Sequence, residues 1–402
     1  MSTRHDRTLL DLAARAALRA RGDVEPNPLV GALIVREGAP SSAPTDRKPR
    51  LHVIGIGHHR RYGGPHAEVE AINNCLARGD SPRGCTMYVT LEPCNHTGKT
   101  PPCTKAIIDA GIARVVIARR DPNPIAEGGA AALQRAGVEV RWSSASKMAL
   151  WISEPFIKRM LTGLPWVIAK WAQTIDGRIA TRENDSKWIS GEVSRRRVHR
   201  LRACVDAVMT AEGTVLADNP LLTARDVARV RRVARRVVIS RDLDVLMNAR
   251  LITTAAQFPT TFFCQNAAFR EKTLYREHLS KQGVEIVPLP LLPNSNRLDL
   301  RAALKHLAEK HGASTVLVES GPRLLGSLFD QDLIDEAHVY IAPKLLGDAE
   351  ALPAVTGFLA RSMNDALPLR LLHAKRSGDD MLHVYSRAAT AMTPGSPITP
   401  AR

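Results

Sequence analysis

Cys94 and Cys103 are separated by eight residues in LEPCNHTGKTPPC, Leu91 to Cys103, and two thiolates on one short loop can share a metal ion. A catalytic zinc site takes three protein ligands and keeps its fourth position for water. The third ligand is expected to be a histidine on a nearby element. His66 opens such an element in GGPHAEVEA, and Glu68 follows two residues on. Pro101 and Pro102 suit the first positions of a helix, and a helix N-terminus favours the thiolate form of Cys103. In this reading His66, Cys94 and Cys103 hold the metal. Glu68 is a proton carrier, placed to take the proton of a water acidified by zinc and return it to the substrate. A purely structural site stays open as an alternative, and it needs a fourth ligand, for which His96 is the nearest candidate.

These side chains need an alternating α/β frame to hold them. Residues 8 to 21 have the pattern of an amphipathic helix, and strands are expected at Leu29–Val35 and His52–Gly55, with a surface loop between them. A helix follows over His66–Ala77. CTMYVTL is a strand that runs into the cysteine motif, Lys105–Ala110 is helical, and ARVVIAR is a further strand. A helix over 129–136 and the strand VEVRW complete a three-layer unit, read as a domain over 1–145. Residues 146–163 are taken as a connector. A second alternation occupies 164–387. Its strands are expected at Trp166–Trp171, Ala207–Thr210, Arg236–Ser240, Thr260–Cys264, Glu285–Pro288, Thr315–Glu319 and His338–Ala342, and its helices at 192–203, 299–311 and 322–328. The Pro- and Thr-rich end, 388–402, is read as disordered.

Composition narrows the classes. The chain has 402 residues, 44% of them apolar, enough for two domains that each bury a core. No apolar run is long enough to span a membrane, and the charged first 22 residues lack the apolar block of a secretory signal, so a cytoplasmic protein is expected. Six scattered cysteines make no disulfide framework. Lys and Arg number 56 against 40 Asp and Glu, a net charge of +16, which favours anionic partners: nucleic acid or phosphorylated metabolites. The most basic stretch, VARVRRVARRVV at 227–238, reads as a helix with a solvated face running into a strand. Aromatic residues are only 4%, and none interleave there as base-stacking platforms require.

His-x-Glu followed by Pro-Cys and a second cysteine is the signature of zinc-dependent deaminases. The wide spacer in PCNHTGKTPPC, with EPNPLVGALIV (Glu25–Val35) and DPNP (Asp121–Pro124), resembles the deaminases of riboflavin biosynthesis, which act on a phosphoribosylated diaminopyrimidine. That resemblance implies a cytidine-deaminase-like domain in which Asn27 meets the pyrimidine edge. It also implies that His96, Gly98 and Lys99 close over the substrate, Lys99 standing where the family often has arginine.

In the second half no GxGxxG follows the first strand, so an ordinary dinucleotide-binding fold is not supported. A strand, glycine, helix junction at VLVESGPRLLG is either a ligand cradle or a tight turn. LPWVIAKWAQTIDGRIAT, SKWIS, GTVLADNPLLTAR, VESGPRLLGSLF and IAPKLLG fall in the order found in the reductase of the same pathway, so the whole chain resembles the fused deaminase-reductase. By that resemblance the domain is dihydrofolate-reductase-like and uses NADPH to reduce a ribosyl ring to a ribityl chain. Ser186, Arg202, Leu222, Arg225 and Glu319 would line the substrate site, with the two arginines able to grip a phosphate. Ala172, Trp188, Thr214, Asp218 and Gly321 would face NADPH. Ser320 stands where the family commonly has glycine, and a positive φ there would be strained. Asp218 is open to proton handling or to a structural role. The implied partners are small phosphorylated pyrimidines and further copies of the chain through the reductase domain, not nucleic acid or membrane. The rival enzyme reading is a transfer-RNA or free-base deaminase fused to an unrelated domain.

Overall fold

The computed structural model describes residues 3–40, 49–98, 101–125, 128–357 and 360–387. Its contacts divide the chain into two compact units, Met1–Pro165 and Trp166–Arg402.

The first unit is built on a five-stranded sheet. Its strands are β1 (Gly31–Pro40), β2 (Pro49–His58), β3 (Thr86–Val89), β4 (Arg114–Ile117) and β5 (Glu139–Trp142), in the order β2-β1-β3-β4-β5. β1 is antiparallel to both neighbours, and β3, β4 and β5 run parallel. The helices are α1 (Thr3–Ala17), α2 (Ala67–Ala77), α3 (Cys103–Asp109), α4 (Gly129–Arg135) and α5 (Lys147–Thr162). Because side chains alternate along a strand, each strand feeds two cores. Ile34, Met87, Val115 and Ile117 pack beneath α2, α3 and α4 with Ala71, Ile107 and Leu133. Leu33, Tyr88 and Val116 pack on the other face with Leu10 and Ala13 of α1 and Ala149 and Ile152 of α5. Three layers result, as the alternation of the sequence implies.

Residues 146–163, read as a connector, instead carry the sixteen-residue helix α5. The Ser146 hydroxyl accepts from the Ala149 amide at 2.9 Å and donates to Asp11 of α1 at 2.5 Å, and Gly163 closes the helix at φ 70°. The loop expected between the first two strands is shortened by their extension to Pro40 and from Pro49.

The second unit is a nine-stranded sheet with a separate two-stranded ribbon. The strands are β6 (Trp166–Gln173), β7 (Arg178–Ala180), β8 (Ala207–Ala211), β9 (Arg235–Ile239), β10 (Thr260–Gln265), β11 (Val284–Leu289), β12 (Thr315–Val318), β13 (Glu336–Ile341), β14 (Leu352–Pro353), β15 (Leu369–Ser377) and β16 (Asp380–Arg387). The sheet order is β11-β10-β9-β8-β12-β6-β13-β16-β15, and β14 pairs with β7. All contacts from β11 to β13 are parallel, while β16 and β15 close the far edge as an antiparallel hairpin. The connecting helices are α6 (Glu192–Arg202), α7 (Glu212–Asp218), α8 (Arg250–Thr253), α9 (Asn266–Glu271), α10 (Thr273–Lys281), α11 (Leu300–His311) and α12 (Pro322–Asp330). Central strands such as TVLV are buried throughout, as parallel strands covered on both faces must be.

The hairpin β15–β16 and helices α7 to α10 are additions to the expected elements. The helix expected within 227–234 does not form; the segment is irregular until β9 begins. Nor is its charge merely a solvated face. Arg236 is fully buried, donating to Thr260, Thr254 and the carbonyls of Leu251 and Phe258, and Arg232 pairs with Asp206. All six cysteines are free.

Candidate active sites

The first site gathers at the start of α2 and the end of β3. Helix α2 lies so close to β2 that a Cβ on Gly57 would stand 2.2 Å from the Ala71 amide nitrogen. That contact brings the N-terminus of α2 onto the sheet. His66 is its N-cap residue, and its Nδ1 stands 3.4 Å from Cys94 Sγ and 3.3 Å from Cys103 Sγ. Tetrahedral zinc with ordinary Zn–N and Zn–S bonds separates nitrogen from sulfur by about 3.6 Å. One nitrogen and two sulfurs therefore fit that ion as they stand, with small adjustments. His96 does not join the cluster, so among the described residues the set stops at three, and the four-ligand structural site is not formed.

Glu68 is buried, at 3% exposure. Burial, and then the neighbouring Cys94 thiolate, push its carboxyl up to about 7, where it can both take and give a proton. The two thiols share a hydrogen bond that draws Cys94 toward the thiolate and holds the proton on Cys103. The loop carrying Cys94 is clamped from behind by Glu92, whose carboxylate accepts from the Ala130 amide at 2.9 Å and the Asp121 amide at 3.3 Å. Gly129 allows the approach, since a Cβ there would lie 1.8 Å from the Pro93 carbonyl oxygen.

Asn27 is held by a residue the sequence did not single out. His59 Nδ1 lies 2.9 Å from the Pro65 carbonyl and so donates to it, which makes Nε2 an acceptor for the Asn27 amide nitrogen 3.1 Å away. The carbonyl of Asn27 is thereby turned the other way. Lys99 lies outside the described residues, and His96 Nδ1 is buried without a hydrogen-bond partner.

In the second unit the residues cluster where β6, β8 and β12 end. Glu319 follows β12, and its carboxylate takes both Nε and Nη2 of Arg202, at 2.5 and 3.0 Å, with Lys170 Nζ at 3.6 Å. Side-chain exposures of 10, 14 and 17% leave the triad largely desolvated. Burial alone would raise Glu319, but Arg202 and Lys170 overcome it and hold the carboxyl down to about 2. Arg202 also donates to the Thr223 carbonyl at 3.2 Å. Three of its five N–H donors, one on each nitrogen, are thus engaged within the protein, and one on each terminal nitrogen remains. Arg225 is exposed, its amide donating to His199 Nδ1. Lys170, in the middle of an apolar strand, is a member that sequence reasoning missed; a lone lysine in WVIAKWA was the available signal.

Thr210 fixes the Glu319 carbonyl at 2.7 Å, and the Gly321 amide donates to Thr214 Oγ1 at 3.3 Å. Ser320 is absent from the positive-φ residues and Gly321 has φ −71°, so the strain feared at Ser320 is not there. The hydroxyl of Ser320 is buried without a partner, and a Cβ on Gly321 would meet only Thr214 Oγ1, at 3.9 Å. Together with the N-terminus of α12, opened by Pro322, this is an uncommitted polar turn that fits a phosphate of NADPH. Trp188 is 61% exposed and stacks with Arg195 at 4.5 Å, so it is not core. Asp218 pairs with Lys187 at 3.4 Å, and Leu222 sits in the core with φ 54°. Ser186 and Ala172 are half-buried.

Residues 3–119 match the cytidine and deoxycytidylate deaminase zinc-binding region, and residues 165–383 match the RibD C-terminal domain. A zinc-dependent deaminase joined to a dihydrofolate-reductase-like, NADPH-dependent reductase is thus the class that fold and sites define. Riboflavin biosynthesis protein RibD of Aquifex aeolicus is 35% identical over 95% of this chain and 98% of its own length. The RibD of Escherichia coli is 36% identical over 92% and 97%. Acinetobacter baumannii RibD superposes with a TM-score of 0.75 at 30% identity over 96% of this chain and 99% of that one. A Thermotoga maritima structure, titled as a diaminohydroxyphosphoribosylaminopyrimidine deaminase and 5-amino-6-(5-phosphoribosylamino)uracil reductase, does so with 0.75 at 31%, over the same shares. The chain belongs to the RibD family of bifunctional riboflavin-biosynthesis enzymes.

Proposed function

We propose that the first unit hydrolyses an exocyclic amine of 2,5-diamino-6-(5-phosphoribosylamino)pyrimidin-4(3H)-one. The second then reduces the ribosyl group of 5-amino-6-(5-phosphoribosylamino)uracil to ribityl. The observation that carries this is the buried carboxyl of Glu68 beside one imidazole nitrogen that meets two thiol sulfurs. His66, Cys94 and Cys103 would hold a zinc ion, which would supply the Lewis acidity that makes a water acidic near neutral pH. Glu68 takes the water proton and delivers it to a ring nitrogen, then to the departing ammonia. Asn27, its amide nitrogen pinned by His59, presents its carbonyl to the pyrimidine edge, and the loop of His96, Gly98 and Lys99 covers the phosphoribosyl arm.

In the second unit NADPH, when bound, would supply the hydride for C1′ of the opened sugar. Glu319, oriented by Arg202 and Lys170, lines the substrate side with Ser186, Leu222 and Arg225. Arg225, exposed beside it, and the remaining donors of Arg202 grip the phosphate. Ala172, Trp188, Thr214, Asp218 and the Gly321 turn face the cofactor.

No helix among the described residues is long and apolar enough to cross a membrane. A cytoplasmic location, self-association through the reductase domain and the lack of a nucleic-acid partner complete the proposal. The last is supported by the basic stretch, whose Arg232, Arg235 and Arg236 are committed to Asp206, Glu285 and buried oxygens. The test is to give zinc-loaded protein the diaminopyrimidine and follow ammonia release and NADPH oxidation separately. Ammonia followed by substrate-dependent NADPH loss is expected; neither signal from folded, zinc-loaded protein would overturn the reading.

A further inference from the structure

The β11 edge of the larger sheet carries a second convergence of ligating side chains, one that neither reaction uses. Glu285 projects from β11, and His306 and His311 come from the second half of α11. One ligating atom of each lies within 4.8 Å of the other two. His306 Nε2 is 3.3 Å from Glu285 Oε1, and His311 Nε2 is 2.9 Å from Oε2. Tetrahedral zinc with nitrogen and oxygen ligands separates them by about 3.4 Å, so each histidine–carboxylate spacing is within half an ångström of a coordinating one.

The surroundings orient the carboxylate without closing the site. Oε2 also accepts from Thr261 Oγ1 at 2.6 Å and Arg235 Nη1 at 3.2 Å, the outer contacts that typically fix a metal-binding carboxylate. Oε1 meets His306 alone, without a cation or hydroxyl competing for it, and is the oxygen most open to an ion. The three side chains keep 20 to 35% exposure. A groove of about 280 Å³, lined by His311, Arg235, Leu307 and Pro259, opens beside them. An ion therefore has both an entry path and room for water in its remaining positions. Two imidazoles and one carboxylate suit borderline divalent ions rather than calcium or magnesium.

We propose that Glu285, His306 and His311 bind a divalent transition-metal ion of the zinc type, separate from the deaminase metal. Its place in the fold assigns it a mechanical role. Glu285 is at the start of β11, whereas Glu319 and Gly321 follow the opposite ends of the parallel strands. The ion clips the sheet's edge strand to α11, the helix that leads into β12. The competing arrangement has each imidazole donate its own proton to Glu285, with no metal.

Cobalt distinguishes the two sites. Full-length protein is stripped with a chelator and titrated with Co²⁺. A cobalt ion on Cys94 and Cys103 gives intense thiolate charge-transfer absorption in the near ultraviolet, whereas one on nitrogen and oxygen gives only weak visible bands. We expect a second equivalent with no thiolate absorption and a rise in Tm as it binds. It should be lost in His306→Gln/His311→Gln and in Glu285→Gln, whose thiolate band reports that they are folded. Arg235→Gln, which removes a cation competing for the carboxylate, should bind it more tightly. Saturation at the thiolate equivalent alone would overturn the proposal, as would a second equivalent that survives both sets of substitutions. One equivalent in all, without any thiolate band and lost in the same substitutions, would support the clip while removing the deaminase metal.

Discussion

Glu68 and Glu319 are both buried carboxyls, and their neighbours send them in opposite directions. Burial, and then the Cys94 thiolate, hold Glu68 near 7, where a proton carrier works best, while two cations keep Glu319 ionised down to about 2 against its own burial. Glu68→Gln keeps shape and burial but cannot shuttle a proton. Ammonia release should fall about 10²- to 10⁴-fold, with zinc content by metal analysis unchanged. Ionised Glu319 stabilises the fold above its ordinary value near 4.5, and that contribution is lost as pH falls from there to about 2. It amounts to on the order of 3 kcal/mol. Denaturant midpoints of wild type and Glu319→Gln should therefore converge as pH drops through this window; a constant gap would mean the triad does not titrate as described. At this scale the convergence of His66, Cys94 and Cys103 beside Glu68 was legible, because they form a spaced pattern. His59, Glu92 and Lys170 were not, since each is a lone polar residue whose meaning comes from what tertiary packing places opposite it.

Among the elements, α5 and α4 carry the most testable consequences. The Ser146 hydroxyl both caps α5 and ties it to Asp11. Ser146→Ala should cost about 1 kcal/mol from the cap, read as a lower urea midpoint with an unchanged slope. Gly129→Val would drive a side chain into the Pro93 carbonyl, so α4 or the Cys94 loop must shift. Zinc affinity should drop in competition with a chelator, although Gly129 touches no ligand. The strands of both sheets, the β15–β16 hairpin apart, were legible from their apolar runs. Helix α5 was not, because Pro155 inside it looks like a break, yet the helix continues through it. The β15–β16 hairpin has period-two burial at Leu382 and Val384 and a turn at Gly378, φ 69°. Interleaved His, Lys and Arg hid that rhythm.

For the molecule as a whole, each unit has cores of its own, so metal loss should be felt locally. At a thousandfold excess of free zinc over Kd, binding stabilises the first unit by about 4 kcal/mol. In calorimetry of His306→Gln/His311→Gln protein, where only the deaminase metal remains, chelation should lower one unfolding transition and leave the transition sensitive to NADPH in place; a single transition moving with both ligands would contradict two separately folding units. The strand order of the second unit also has a consequence in time. β6 is the first of its strands to be synthesised, yet it lies between β12 and β13. Its neighbours exist only once Thr315–Val318 and Glu336–Ile341 have been translated. At elongation rates of about 5–20 residues per second, WVIAKWAQ waits roughly ten to thirty seconds on the ribosome without a partner. Through that interval Lys170 is the one charge interrupting an aggregation-prone segment. The lysine that later orients Glu319 is thus also the residue that keeps the nascent strand soluble until its partners arrive.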